Sequence, residues 1–181
     1  VKIFFQILSL SFTNKNKVNF DVDEEKKLSN SLQSMGTTFI KLGQFLATRP
    51  DIIGEDLSKQ LETLQDRLPP FPLSEAKEII KSDLGEETFN SLINISEPVA
   101  AASIAQVHKA QINDGGIIKD VAIKILRPNI KKIFNEEIDA LMLFAFIVES
   151  LVKETKRLKL VEVVFLLKEI TNLEMDLRFE A

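Results

Sequence analysis

Cysteine is absent from the 181 residues, and so are tryptophan and tyrosine. Without cysteine there can be no disulfide framework, thiolate metal site or cysteine nucleophile. The absence fits a reducing compartment. A single histidine, His108, excludes a multi-histidine metal centre and any mechanism that needs two imidazoles. A basic balance is also missing. The formal charge is −4, which argues against non-specific binding to nucleic acid. Long apolar runs are scarce. The opening VKIFFQILSLSF is apolar but shorter than the ~20 residues of a bilayer-spanning helix. No small-residue cleavage site follows it. It reads as a packed helix, with an interfacial segment touching membrane as the alternative. The stretch Ile138 to Val152 is interrupted by Asp139 and Glu149 and reads as a core helix.

A hydrophobic content of 45%, with 13 phenylalanines, is ordinary for a chain that buries a real core. The length suits one domain, or one lobe plus an extension. Residues 24–48 carry Leu28, Leu32, Met35, Phe39, Leu42 and Leu46 at helical steps. One helix is therefore predicted there, with Lys41 and Gln44 on one face. Arg49-Pro50 ends it. A second helix over Glu55 to Leu68 stops at Pro69-Pro70-Phe71-Pro72. Ser74 opens a helix that ends near Gly85, and Glu86 to Leu92 forms another.

The pattern changes at about Ile93. Val99, Ile104, Val107, Ala110 and Ile112 alternate with polar residues, and Asn113-Asp114-Gly115-Gly116 supplies hairpin turn chemistry. Val121 to Leu126 is a short β-rich run closed by Arg127-Pro128. Ile130 onward reads as helix, and a last helix is predicted from about Val161 to Glu180. Helices, a small antiparallel sheet and helices again make an α+β layout.

Several residues could carry chemistry. A strand lysine such as Lys124 is ordinarily a solvated edge residue. Here it ends Val121-Ala122-Ile123-Lys124 behind a turn-rich hairpin, which resembles the strand lysine of kinase-like folds. There such a lysine contacts nucleotide phosphates and a helix glutamate holds it. Glu174, Asp176 and Glu180 are the available acids. On a continuous helix Glu174 and Asp176 diverge by about 200°, so the three cannot share one ammonium. The expectation is that Glu180 pairs with Lys124 while Glu174 and Asp176 answer Lys41. The alternative is an exposed acidic face that answers Arg178 and Lys168. Ala100 to Ala102 stand where glycines would cradle a phosphate, with a stiffer backbone. Ser103 adds a hydroxyl that could reach a phosphate or cap a turn. Small residues alone would mean tight packing. His108 could be a general acid or base, but a hydrogen-bonded strand histidine is expected.

As an ordered set these motifs resemble the UbiB/ADCK family of atypical kinase-like proteins. The set is Lys41-Leu42-Gly43-Gln44 continuing to Asp51, Leu64-Gln65-Asp66 before Pro69, Pro98 through His108, Val121 to Pro128, and Glu174-Met175-Asp176 to Glu180. The resemblance implies a kinase-like N-lobe preceded by a helical extension. The divisions would be an apolar segment at 1–23, the extension at 24–92 and the N-lobe at 93–181. It implies Lys41, Gln44, Glu174 and Asp176 as catalytic, and Ala100, Ala101, Ala102, Ser103, Lys124 and Glu180 as nucleotide-binding. ATP or ADP with Mg2+ would be bound, with the metal ligands in a C-lobe outside this chain. The implied function is the N-terminal part of an atypical kinase or ATPase supporting ubiquinone biosynthesis, from a split, truncated or decayed gene or as a fragment. The implied setting is the cytoplasm, peripheral at the inner membrane. Partners would be a separately encoded C-lobe or ubiquinone-biosynthesis proteins, and no nucleic acid. The competing expectation is a non-catalytic module that binds a partner through exposed apolar helices.

Overall fold

The computed structural model describes residues 22–64 and 66–179. The apolar opening and Glu180 lie outside the described residues. In chain order come α1 (Val22–Ser34), α2 (Thr37–Ala47), α3 (Pro50–Ile53), α4 (Glu55–Glu62), α5 (Leu73–Ser91), β1 (Leu92–Ile93), β2 (Pro98–Ala101), β3 (Ala105–Asp114), β4 (Ile117–Leu126), α6 (Ile130–Leu151) and α7 (Leu160–Glu174). Short 3-10 turns follow α6 and α7 at Lys153–Leu158 and Leu177–Phe179. The fold is α+β with a small antiparallel sheet, a kinase-like N-lobe arrangement. It divides into two compact units, one of residues up to 64 with 134–172, the other of 66–133 with 173–179.

The first unit is helical. The single helix predicted over 24–48 is in fact two, because Gly36 takes φ 102° between α1 and α2. That backbone state has no Cβ penalty only in glycine. Leucine periodicity runs through the break and hides it. Leu32, Ile40, Leu42, Leu46, Leu57, Leu61 and Leu64 are buried in this unit. Gly43 is where the helices meet most closely. A Cβ added there would lie 2.5 Å from Leu64 Cδ2 and 3.0 Å from Leu32 Cδ1.

On α6, Phe134, Ile138, Leu141, Ala145 and Val148 form the buried stripe at steps of three and four. Thr155 is buried and its hydroxyl donates to Val152 O at 2.7 Å and Val148 O at 3.2 Å, capping the end of α6. The acids that interrupt the apolar run have structural partners. Glu149 Oε1 accepts the Val161 N–H at 3.2 Å in the first turn of α7. Asp139 pairs with Lys168 at 3.1 Å. Both helices also carry apolar side chains outward: Leu143, Phe146 and Leu151 on α6, and Phe165 and Leu173 on α7. Among the described residues, no helix is long and apolar enough to cross a membrane.

In the second unit β3 is central, with β1 and β2 along one side and β4 along the other. The β3–β4 hairpin closes through Gly115 and Gly116 at φ 60° and 92°, a primed turn that matches strand twist. Asn113 Oδ1 accepts the Gly116 N–H at 2.9 Å. One sheet face packs on α5, where Phe71, Ala76, Ile80 and Ile125 are buried together with Ile123 and Phe89 against them. Helix α5 kinks at Gly85, φ 82°, near where the sequence pattern changes helices.

A polar chain is buried under the same face. The Gln106 amide clasps the Phe71 backbone, accepting its N–H at 3.0 Å and donating to its carbonyl at 3.1 Å. Its nitrogen also lies 2.9 Å from His108 Nε2. That nitrogen can only donate, so Nε2 accepts and the ring hydrogen sits on Nδ1. Nδ1 then donates to Ser96 O at 2.8 Å. His108 is the hydrogen-bonded strand histidine that its sequence context suggests.

Candidate functional site

Strand alternation decides what Lys124 does. Ile123 and Ile125 turn toward α5, so Lys124 and Ala122 turn to the opposite face, where both are exposed. The register places Val107 directly opposite Lys124 and Ala100 directly opposite Val107. Directly opposed residues share a face. Ala100, Val107 and Lys124 therefore form one row across three strands, with Ala122 beside it. The row is a floor of small apolar side chains with an ammonium at one end.

A cleft of about 440 Å³ lies beside β4. Its charged lining is Lys124, Lys131 and Arg178 against Asp83 and Asp176. Met175, buried, and Ile80 line its apolar part.

The alanine stretch is not an open loop. Ala100 and Ala101 belong to β2, and the chain turns through Ala102, Ser103 and Ile104 into β3. The turn is closed by the Ala102 N–H donating to Ala105 O at 2.8 Å. Asp66 Oδ1 accepts the Ser103 N–H at 2.7 Å. Arg127 Nε donates to Ala102 O at 2.9 Å, and its Nη2 donates to Pro69 O at 3.0 Å. Burial draws the Arg127 guanidinium below its ordinary pKa, and the charge of Asp66 opposes that shift. Ser103 is fully buried.

The acids sort differently from the helical expectation. Helix α7 ends at Glu174, and the Asp176 N–H turns back to Leu173 O at 3.1 Å. The angles drawn for a helix reaching Glu180 therefore do not apply, because the chain passes into a turn and a 3-10 segment. Glu174 is half-buried at the helix end. Asp176 lies beyond it and grips Arg178 through two hydrogen bonds, Nε–Oδ1 at 2.7 Å and Nη2–Oδ2 at 2.5 Å. Arg178 holds the Asp176 carboxyl down at a pKa of about 2, with Lys131 adding a smaller pull. Part of the competing expectation thus holds, since Arg178 answers Asp176, while Lys168 answers Asp139. Glu180, the expected partner of Lys124, lies outside the described residues.

Lys41 and Gln44 share a half-buried side of α2, while Ile40, Leu42, Gly43 and Leu46 turn inward. The residues that sequence reasoning missed are Asp66 and Arg127. Each stands inside a quoted motif, beside Pro69-Pro70 and before Pro128, but the contacts join positions far apart in the chain.

The twisted hairpin with a lysine on its open face, the small-residue turn before it and the helix after it define a kinase-like N-lobe. A family model for the ABC1 atypical kinase-like domain matches residues 63–181. The chain belongs to this family of atypical kinase-like proteins, the UbiB/ADCK group. It is 36% identical to a "Probable protein kinase UbiB" of Marinobacter nauticus over 182 residues, covering 100% of this chain and 32% of that protein. A protein of the same name from Azotobacter vinelandii is 39% identical over 156 residues, covering 86% of this chain and 28% of the relative. One from Pseudomonas aeruginosa is 37% identical over 156 residues, 86% of this chain and 29% of the relative. The chain thus spans about a third or less of these relatives' length. No solved structure matches it significantly.

Proposed function

We propose that this chain supplies a nucleotide-contacting surface of an atypical kinase or ATPase that supports ubiquinone biosynthesis. The carrying observation is the Ala100–Val107–Lys124 row on the exposed sheet face. A purine is flat and apolar on its faces, and small side chains leave room for it. The Lys124 ammonium then meets the phosphate end, where its positive charge counts most. Lys131 adds positive charge in the cleft beside β4, where Arg178 is paired with Asp176. Glu174, Asp176, Lys41 and Gln44 keep the catalytic assignment that the family resemblance implies. The names of the relatives, each a probable protein kinase UbiB, support the class. The same reading assigns the chain to the cytoplasm, peripheral at the inner membrane.

The magnesium implied by the resemblance finds no donor set here. Among the described residues there is no group of three or more His, Asp or Glu placed to hold a metal ion. The role given to Lys124 is electrostatic.

Equilibrium titration of the chain with ADP and magnesium tests the reading. Dissociation constants well below millimolar are expected. Affinity no better than millimolar, about −4 kcal/mol, contradicts it.

The apolar outer faces favour a second reading. Leu143, Phe146 and Leu151 on α6 and Phe165 and Leu173 on α7 are each more than half exposed. Apolar exposure of this kind often marks an interaction surface. On this reading the chain is a non-catalytic binding module, and partner capture survives loss of Lys124.

A further inference from the structure

We infer that Arg127 and Asp66 clamp the alanine turn in place beside Lys124 and act as positioning residues for the phosphate end of a bound nucleotide. The inference rests on the nucleotide-binding reading above and deepens it.

Glycine-rich phosphate loops close on their ligand because glycine leaves the backbone free. A turn built from Ala102, Ser103 and Ile104 lacks that freedom, and here it is also tied from both sides. The Arg127 side chain spans three carbonyls, Ala102 O at 2.9 Å, Pro69 O at 3.0 Å and Leu68 O at 3.3 Å. Its own N–H donates to Ile104 O at 2.9 Å. Asp66 takes the Ser103 N–H at 2.7 Å, a charge-assisted bond. The turn is thus pinned to the proline connector on one side and to the chain leaving β4 on the other.

The location of Arg127 gives the clamp its meaning. It follows Lys124 by three residues, just past the end of β4. The strand that presents the ammonium therefore also fixes the turn next to it. Distance between the two is set by covalent structure and ladder register rather than by closure on the ligand. A planar guanidinium can reach several carbonyls at once, whereas a lysine supplies a point charge without the fork.

The test uses the 181-residue chain with Arg127→Ala and Arg127→Lys. Two quantities are read: amide hydrogen exchange at Ala102, Ser103 and Ile104, and the affinities for ADP and for adenosine. Arg127→Ala should speed exchange in the turn and weaken ADP by about tenfold or more, the equivalent of one charged hydrogen bond, while adenosine changes less than about twofold. Arg127→Lys, which keeps charge and most of the stem, should fall between and guards against a misfolded alanine variant. Unchanged exchange in the turn overturns the clamp. Equal losses for ADP and adenosine overturn the positioning role and leave a structural one. If the unaltered chain binds neither ligand while exchange still responds, the nucleotide reading has failed, and the positioning role falls with it, although the clamp itself stands.

Discussion

Val107 stands directly opposite Lys124 in the β3–β4 ladder, on the face that α5 does not cover. One residue of slip in that register would send Lys124 into the apolar layer of Ile80 and Phe71 and bring Ile123 and Ile125 out. Burial of Ile125 and the hairpin turn at Gly115-Gly116 thus hold the lysine outward.

Removing the Lys124 charge should affect binding far more than folding. Lys124→Met keeps an unbranched apolar stem at an exposed position, so stability should stay within about 0.5 kcal/mol. ADP affinity should drop by about tenfold or more, as expected for loss of a charged contact. Thermal unfolding and titration calorimetry on the same preparations separate the two effects. Equal ADP affinity in the variant removes Lys124 from the site.

Gly43 should resist substitution for a packing reason. Alanine there places a Cβ 2.5 Å from Leu64 Cδ2, with Leu64 and Leu32 both buried. Overpacking of this kind costs about 1–3 kcal/mol. Helix propensity returns at most about 1 kcal/mol on replacing glycine. Gly43→Ala should therefore be net destabilising in urea unfolding, and Gly43→Val more so. A stabilised alanine variant would show that the two leucines repack freely.

The buried chain from Phe71 through Gln106 and His108 to Ser96 should be sensitive at its middle. Gln106→Leu strands the Phe71 N–H and carbonyl and removes the donor to His108 Nε2. Each buried group left unsatisfied costs about 1–3 kcal/mol. The loss should exceed about 2 kcal/mol in denaturant unfolding. A near-neutral result would mean that water replaces the amide.

Acid should release the Asp176–Arg178 pair. The folded carboxyl titrates at about 2 against an ordinary value of 3.8. A depressed carboxylate contributes stability above its unfolded pKa and loses it as pH falls through the folded one. The contribution should therefore be complete above about pH 4 and fade toward pH 2. Carboxyl carbon shifts followed by NMR should show the low midpoint. Arg178→Ala should return the midpoint toward the ordinary value, and no movement would assign the shift elsewhere.

Local chemistry made part of this fold legible from sequence. Val121 to Leu126 announces a strand because branched apolar residues end at Arg127-Pro128, and Asn113 to Gly116 can hardly be anything but a hairpin turn. Gly36 was hidden because Leu32, Phe39 and Leu42 keep helical spacing across it, while the break depends on one φ angle. The end of α7 at Glu174 was hidden for the opposite reason: no glycine or proline marks it. Arg127 and Asp66 leave no periodic trace, since their partners lie 25 and 37 residues away. Lys124 was the most legible site residue, because a strand's alternation fixes the face it takes once its neighbours are seen to be apolar.

Backbone amide shifts recorded during titration with ADP and magnesium test the central claim most directly. The account expects saturable shifts concentrated at Ala100, Val107, Ala122 and Lys124, the row on the open sheet face. Saturable shifts confined to the outer faces of α6 and α7, or no shifts at millimolar ADP, would contradict it.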